Sequence, residues 1–293
     1  MRQQLVSCYS FKTKNGQLEI PIARGKRLSI PLTKHTIDII SQPGVEVCSF
    51  TLTHNRLCLS IAHDIATIEC PSTVGVDRNL RNLTVGNDQE TRHHDLSETV
   101  SIASTTMRIV ASFKRDDARI RRVIASKYGL RRTARTGHLL HTTTKTIVSL
   151  AVQQRQAIVL EDIRGIRCLY RKGSGQGRRY RGRMNGWSFS QAQRQLEYKA
   201  RWIGLPIIHL SRRETRGSSM TCPRCGERLQ SDKHRDRVAA VNLSRGGRLR
   251  FARSRPPVIL EAQGGVAEAV KGNPTPTVIP GVDAPKLTQP TKS

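Results

Sequence analysis

Two short apolar runs, each ending in an acidic residue, constrain the fold of this chain most. Residues 74–76 lead directly to Asp77, and a short polar turn then joins them to a second β-run in VGVDRNLRNLTVG. Residues 157–160 form another apolar run, which ends at Glu161. Short buried strands of this kind, separated by helical sequence, are typical of α/β sheets. Because ligands of such sheets gather at the carboxyl ends of strands, Asp77 and Glu161 are predicted to face one site.

A third acid, Asp236, stands at the start of the last predicted helix, RDRVAAVNLSRGG. Taken singly, each acid has a simpler explanation: Asp77 caps a turn, Glu161 pairs with an Arg, and Asp236 caps its helix. Together they favour a metal site, because converging carboxylates repel one another unless cations neutralise them, and oxygen ligands select Mg²⁺ or Mn²⁺. Two such ions activate a water and stabilise the leaving oxygen of a phosphodiester.

The charge of the chain indicates a polyanionic partner. Its 293 residues include 50 Lys and Arg against 22 Asp and Glu, a net charge of +28. Nucleic acid, an anionic membrane and acidic proteins all fit this charge, and phosphate backbone is the leading class. An aromatic content of only 4% argues against a protein that binds single strands mainly by stacking on bases.

More than half of the charge excess is local. Residues 107–183 hold 20 Arg and Lys against 4 Asp and Glu. An excess this one-sided repels itself and favours a bound polyanion over a merely solvated surface. The predicted phosphate contacts lie in its final basic segment, residues 164–183: Arg164, Arg167, Arg171, Lys172, Arg178, Arg179, Arg181 and Arg183.

No stretch of the sequence reaches the roughly 18–20 apolar residues of a membrane span, and the N-terminus lacks the apolar core of a secretory signal. The seven Cys residues are an odd number, which argues against a disulfide framework. We therefore expect a cytoplasmic, nucleic-acid-associated protein with no membrane partner. The sequence leaves its oligomeric state open.

The pattern along the chain predicts three parts. Residues 1–70 alternate short β-runs with turn signals and predict a small β-rich, barrel-like module. Residues 71–247 predict an α/β domain, and residues 248–293, rich in Pro and Gly, predict a disordered tail.

Several finer elements of the α/β domain are also predicted. Residues 107–154 are expected to form two helices broken near Gly129 and Gly137. Residues 164–183 are expected to be a flexible basic loop. A helix over 185–204 and a strand over 205–211 follow.

Several ordered motifs resemble the TnpB (OrfB) family of transposon-encoded, RNA-guided nucleases, which are relatives of the type V CRISPR effectors. VGVDRNLRNLTVG and AIVLEDIRGIR are similar to that family's first two RuvC motifs, and FSQAQRQLEYKARWIGLPIIHL to the helix and strand after them. SSMTCPRCG is similar to the opening of its zinc ribbon, and HRDRVAAVNL to its closing motif.

The resemblance implies an RNase H-like (RuvC-like) mixed sheet flanked by helices, preceded by a wedge-like module. It makes Asp77, Glu161 and Asp236 the catalytic carboxylates that hold Mg²⁺ or Mn²⁺. The implied partners are DNA and a guide RNA. The family's helical recognition lobe has no counterpart here, so we expect a chain that lacks it, and this bears on how a guide–target duplex would be held.

The expected zinc ribbon, residues 218–234, is incomplete. A structural zinc site takes four ligands, but only Cys222 and Cys225 stand at ligand spacing. His234 or Asp232 completes the site in one interpretation, with His209 a further candidate. In the other interpretation the segment is a metal-free turn with two free thiols.

The resemblance therefore implies a transposon-associated, TnpB-like protein, either an RNA-guided DNA endonuclease or its truncated derivative. Such an enzyme hydrolyses DNA phosphodiesters by a metal-dependent, three-carboxylate RuvC mechanism. The alternative is a DNA- or RNA-binding regulator, or a decaying transposon remnant, that does not cleave.

Overall fold

The structure, a computed structural model, describes residues 4–7, 10–113, 117–173, 175–187, 189–230 and 234–254. Its strands are β1 (Gln4–Ser7), β2 (Lys12–Lys14), β3 (Gln17–Ala23), β4 (Lys26–Pro31), β5 (Val45–Thr53), β6 (Arg56–His63), β7 (Ser72–Arg78), β8 (Asn82–Gly86), β9 (Thr91–Asp95), β10 (Gln156–Glu161) and β11 (Ile207–Leu210). Its α-helices are α1 (Lys34–Ile40), α2 (Ser97–Ser112), α3 (Ala118–Gln153), α4 (Arg178–Asn185), α5 (Phe189–Trp202) and α6 (Arg235–Ser254).

The first part of the described chain is rich in β-structure, as its turn signals indicate. Strands β1, β5 and β6 form one antiparallel sheet, and β2, β3 and β4 form another. A small core holds these elements together around the fully buried side chains of Leu18 and Phe50. Phe11 packs edge-on against Phe50, with ring centroids 5.5 Å apart. Helix α1, which the sequence analysis did not predict, follows β4 and begins at the side-chain cap Thr33.

A five-stranded mixed sheet forms the centre of the second part, in the order β11-β10-β7-β8-β9. Strands β7, β10 and β11 are parallel, whereas β8 runs antiparallel to β7 and β9 antiparallel to β8. Strand β10 is buried along its whole length up to Glu161, which explains its uninterrupted apolar sequence. The α/β class predicted for this part is confirmed.

Helices cover both faces of this sheet. On one face, α3 and α5 bury an apolar core with the sheet, and Leu140, Leu196 and Ala200 are almost fully excluded from water. On the other face, α6 packs over β7, β8 and β10. Since successive side chains of a strand alternate between faces, Thr73, Gly75 and Asp77 of β7 lie on the α6 side.

The predicted break in the long basic helix is wrong. Helix α3 continues through both Gly129 and Gly137 over 36 residues. A glycine inside a helix costs about 1 kcal/mol relative to alanine, and the packing of α3 against α2 and α5 outweighs that cost. Gly137 lies where α3 meets α5, because a Cβ there would be 3.2 Å from the side chain of Gln191.

Two other boundaries differ from the prediction. The segment expected to be a flexible loop contains a 3-10 helix over Ile166–Tyr170 and most of α4, which continues to Asn185. Helix α6 extends to Ser254, beyond its predicted end at residue 247. The remainder of the predicted disordered tail, residues 255–293, lies outside the described residues, and the three-part division of the chain stays a prediction.

Candidate active site

Two of the predicted acids come together at one end of the central sheet. The parallel register of β7 and β10 pairs Val76 with Leu160, so the next residues, Asp77 and Glu161, are neighbours at the carboxyl ends of their strands. Both side chains lie on the face covered by α6. Main-chain hydrogen bonding between the two strands therefore determines the placement of the first two acids.

The third acid, Asp236, is brought to the same place by the close approach of α6 to β7. Gly75 makes this approach possible, because a Cβ at that position would lie 2.0 Å from the carbonyl oxygen of Ala240. Further along the helix, the Thr73 hydroxyl donates to the Ser244 carbonyl oxygen over 2.8 Å, and the Ser244 hydroxyl donates to the Thr73 carbonyl oxygen over 2.7 Å. These contacts fix α6 along β7 and leave its first turn beside Asp77.

The three acids line one open cleft of about 570 Å³. The cleft also contains main-chain and polar groups of the β7–β8 turn, aromatic side chains of the segment after β10, and the chain that precedes α6. These further lining residues include Asn79, Arg81, Asn82, Tyr170, Tyr180, Met184, Thr215, Ser218, Ser219 and Arg235. The predicted convergence of Asp77, Glu161 and Asp236 is thus a feature of the described fold.

Asp77 is the most perturbed of these groups. Burial raises the pKa of its carboxyl group to about 6, and the negative charges of Asp236 and Glu161 act in the same direction. The hydrogen bond from Asn79 and the positive charge of Arg78 oppose these effects without cancelling them. A bound cation would reduce the repulsion between this buried carboxylate and the other two.

Each of the three carboxylates accepts a hydrogen bond from an uncharged side chain. Asn79 Nδ2 donates to Asp77 Oδ2 over 2.7 Å, and Asn82 Nδ2 donates to Asp236 Oδ2 over 3.2 Å. The Thr215 hydroxyl donates to Glu161 Oε1 over 2.8 Å. The sequence analysis did not identify these donors. Asn79 and Asn82 could have been found from the sequence, because they follow the first acid closely. Thr215 could not, because it is 54 residues from Glu161.

Arg78, the residue after Asp77, points to the opposite face of the sheet. Its guanidinium donates to the main-chain oxygen of Glu161 and, over 2.7 Å, to Gln193 Oε1. Burial lowers the pKa of Arg78 to about 10, and the nearby charges of Glu161 and Asp77 favour its protonated form. A buried cation thus links the carboxyl end of β10 to β7 and α5 from behind the cleft.

Of the eight basic residues predicted to contact phosphate, none whose side chain the structure describes is part of the cleft lining. Arg164 forms an ion pair with Asp162, and Arg181 donates to the main-chain oxygen of Gln176. The side chain of Arg167 is outside the described part of the structure. The others have exposed side chains: Arg171, Lys172, Arg178, Arg179 and Arg183.

The segment that carries these eight residues also supplies aromatic groups to the cleft. Tyr170 is nearly buried and Tyr180 is 40% exposed, with their ring centroids 6.0 Å apart. Within the described residues, the basic residues at the cleft are Arg81, Arg235 and Arg78, whose guanidinium lies behind it. The sequence analysis did not single these three out, because nothing in a local charge count distinguishes them from other surface arginines.

The two candidate zinc ligands lie in a tight turn. Cys222 donates its main-chain N–H to the Glu227 oxygen and accepts a hydrogen bond from the Gly226 N–H at its own carbonyl oxygen, and Gly226 has a φ of +79°. Hydrogen bonds from the main chain at Cys225 and Arg224 lower the pKa of the Cys222 thiol. Lower thiol pKa values favour the thiolate form that binds zinc.

Across the ranges that the structure describes, no group of three or more His, Cys, Asp and Glu side chains is already arranged to hold one metal ion. This applies to the three acids of the cleft and to the cysteine turn with His234. Asp232, the other candidate, lies outside the described residues. The metal sites therefore stay predictions.

In the same described part, no helix combines the length and the apolar run that a membrane span requires.

The fold and the cleft define an α/β protein with three carboxylates at one sheet end and a strongly basic chain around them.

Comparison with known proteins shows which proteins this chain resembles. Residues 189–243, which include α5, β11 and the cysteine turn, match the family model described as Cas12f1-like, TNB domain. A TnpB-like protein of Methanocaldococcus jannaschii, MJ0751, is 32% identical over 114 residues, which are 39% of this chain and 39% of that protein. These matches show that the chain is similar to TnpB-like and Cas12f1-like proteins, and they confirm the resemblance drawn from its motifs.

The fold is also similar to solved structures. A cryo-EM structure of a Cas12f1–sgRNA–target DNA complex aligns with a TM-score of 0.54 and 13% identity, over 82% of this chain and 59% of that one. A cryo-EM structure of a CRISPR-Cas12f ternary complex aligns with a TM-score of 0.46 and 13% identity, over 82% of this chain and 63% of that one. The chain thus spans less than two thirds of the curated relative and of the Cas12f1 chain.

Proposed function

We propose that this chain is a metal-dependent DNA endonuclease of the TnpB-like type, with Asp77, Glu161 and Asp236 as its catalytic carboxylates. The observation that carries the proposal is that these acids come from two strands and a helix, far apart in sequence, yet line one cleft. A cleft edged by a basic chain attracts phosphodiesters, since phosphate contacts provide most of the affinity for nucleic acid.

An RNase H-like, RuvC-like fold is part of the proposal. The sheet order β9-β8-β7-β10-β11, with three antiparallel strands followed by two parallel ones, supports it. So does the position of the first acid on the first strand of that sheet and of the second acid on its parallel neighbour.

Mg²⁺ or Mn²⁺ is the cation that fits the donors of the cleft. Carboxylate oxygens are its preferred protein ligands, and a cation would offset the burial and the neighbouring negative charges that raise the pKa of Asp77. Asp77, Glu161 and Asp236 would hold the metal, which would supply activation of water and stabilisation of the leaving oxygen. Around it, Arg81 and Arg235 would contact phosphate, and Tyr180 would stack on a base of the strand.

Zinc on Cys222 and Cys225 and a guide RNA belong to the same proposal. The lowered pKa of the Cys222 thiol supports zinc. The Cas12f1 chain of similar fold was solved in a complex with sgRNA and target DNA, which supports RNA and DNA as partners here.

A cleavage assay tests the proposal directly. The protein is incubated with single-stranded DNA and Mg²⁺, beside the variants Asp77→Asn and Glu161→Gln. Because a metal-assisted step is worth several kcal/mol, each variant is expected to lose roughly 100-fold or more in cleavage rate. Asp88→Asn is the matched control, because Asp88 pairs with Arg245 and Arg248 and does not line the cleft. Equal cleavage by Asp77→Asn and the unaltered protein would rule out the assignment.

A second candidate is a nucleic-acid-binding regulator that does not cleave. The observation in its favour is that the described acids are not already grouped to hold an ion. It predicts DNA or RNA binding, measured by fluorescence anisotropy, with no cleavage under either Mg²⁺ or Mn²⁺.

A further inference from the structure

Two asparagines connect a strand acid to the helix acid across the cleft. Asn79 Nδ2 lies 2.7 Å from Asp77 Oδ2 and 3.3 Å from Asn82 Oδ1. Asn82 Nδ2 in turn lies 3.2 Å from Asp236 Oδ2. The two amides therefore form a continuous bridge between carboxylates of β7 and α6, which are 159 residues apart in the sequence.

The charge of the acids fixes the direction of every hydrogen bond in the bridge. An ionised carboxylate only accepts, so both amide nitrogens must point at the acids. This leaves Asn82 Oδ1 as the acceptor for Asn79 and for the Thr84 hydroxyl, which lies 3.1 Å away. Thr84 thereby uses its only proton, so His93 Nδ1, at 2.9 Å, must donate to it.

The surroundings hold this bridge in place. The Asn79 N–H donates to the Asn82 carbonyl oxygen over 3.0 Å and closes the β7–β8 turn. Thr84 is fully buried in β8, and its neighbour His93 is on β9. The orientation of Asn82 is thus determined by the β7–β8 turn and by strands β8 and β9, while its amide nitrogen contacts an acid on a helix.

We propose that Asn79 and Asn82 are positioning residues, which hold Asp77 and Asp236 at a fixed spacing for a divalent cation. This inference rests on the proposed metal-dependent function. Two carboxylates repel each other and would separate without a link between them. Neutral amides supply that link without a positive charge, whereas a lysine or arginine in their place would compete with the cation.

Calorimetric titration with Mn²⁺ tests the proposal without depending on cleavage. Loss of a residue that orients a metal ligand typically weakens metal affinity by about 10- to 100-fold, and we expect a loss of this size in Asn82→Ala. Asn87→Ala is the matched control. Asn87 is a buried asparagine at the other end of β8, whose Oδ1 accepts from the main chain of Gln89 and Glu90, and it lies outside the cleft. Its Mn²⁺ affinity should stay within about twofold of that of the unaltered protein.

A double-mutant cycle separates positioning from a general loss of structure. If Asn82 acts through Asp236, then Asn82→Ala should cost little further affinity in a protein that already carries Asp236→Ala. Additive losses would overturn the proposal, as would an unchanged affinity in Asn82→Ala. Circular dichroism checks the fold of each variant, and Asn79→Ala, which breaks the other half of the bridge, serves if Asn82→Ala does not fold.

The same titration distinguishes the two proposals. If the unaltered protein binds no Mn²⁺, both the metal-dependent nuclease and the positioning role fail. If it binds Mn²⁺ and Asn82→Ala binds equally well, only the positioning role fails.

Discussion

Replacement of Gly75 by alanine should destabilise the protein far more than the addition of one methyl group suggests. The added Cβ would lie 2.0 Å from the Ala240 carbonyl oxygen, 2.7 Å from the Ser244 nitrogen and 2.8 Å from Leu243 Cβ. All three atoms belong to α6, and two of them are backbone atoms, so no side chain can rotate out of the way. The helix itself must move.

The size of the effect follows from these distances. Contacts shorter than 3.4 Å are unusual for a Cβ, so the oxygen of Ala240 must retreat by about 1.4 Å. Overpacking of a well-packed core costs typically 1–3 kcal/mol and more when backbone must shift. We expect a loss of about 3 kcal/mol, which for a protein of this size lowers Tm by roughly 6–12 °C.

Thermal unfolding monitored by circular dichroism measures this loss, and Gly129→Ala is its control. Gly129 lies inside α3, and a methyl group added there would have no neighbouring atom within 4 Å, so alanine should raise stability by about 0.5–1 kcal/mol. The two substitutions are chemically identical and should change Tm in opposite directions. A Tm for Gly75→Ala within about 1 °C of the unaltered protein would refute the close packing of α6 on β7.

The pH dependence of stability gives a second prediction. The pKa of Asp77 rises from its ordinary 3.8 to about 6 on folding. The free energy of unfolding is therefore highest below pH 4, where Asp77 is protonated in both states, and it falls by roughly 3 kcal/mol as the pH rises through 6. Asp77→Asn should therefore stabilise the metal-free protein at pH 8 and have little effect at pH 4, as measured by urea unfolding; a gain that does not change with pH would contradict the raised pKa. The third prediction concerns Tyr180, an aromatic side chain of the cleft. Tyr180→Ala should weaken binding of single-stranded DNA by about 5- to 150-fold if the ring stacks on a base. Tyr198→Ala is its control, because Tyr198 is similarly exposed but lies on α5 beside His141, and equal losses in both variants would count against stacking at Tyr180.

The α/β class and the strand-end positions of Asp77 and Glu161 could be predicted because their signals are local. An apolar run that stops at a carboxylate is visible in the residues themselves, and both Asp77 and Glu161 stand at the ends of the strands so marked. The helix predicted over 185–204 was visible in the same way, and the structure buries Ala192, Leu196 and Ala200 of α5 at a four-residue spacing. The similarity to TnpB-like proteins could also be predicted, because the order of the motifs can be read from one sequence.

Local signals were misleading where packing outweighs propensity. Gly129 and Gly137 favour a break, yet α3 gains more from its contacts with α2 and α5 than two glycines cost. The Gly- and Arg-rich segment after β10 indicated a loop, but α4 forms there and brings Tyr180 and Met184 to the cleft.

The sequence by itself determined which side chains carry the candidate chemistry: three acids, two thiols and a basic chain. Only the tertiary structure decided how the acids meet. The absence of a side chain at Gly75 lets α6 approach β7, and the amides of Asn79 and Asn82 then bridge Asp77 to Asp236. Such contacts join residues that lie on elements at opposite ends of this domain's sequence, and they depend on the packing of a helix on a sheet rather than on any periodicity along the chain.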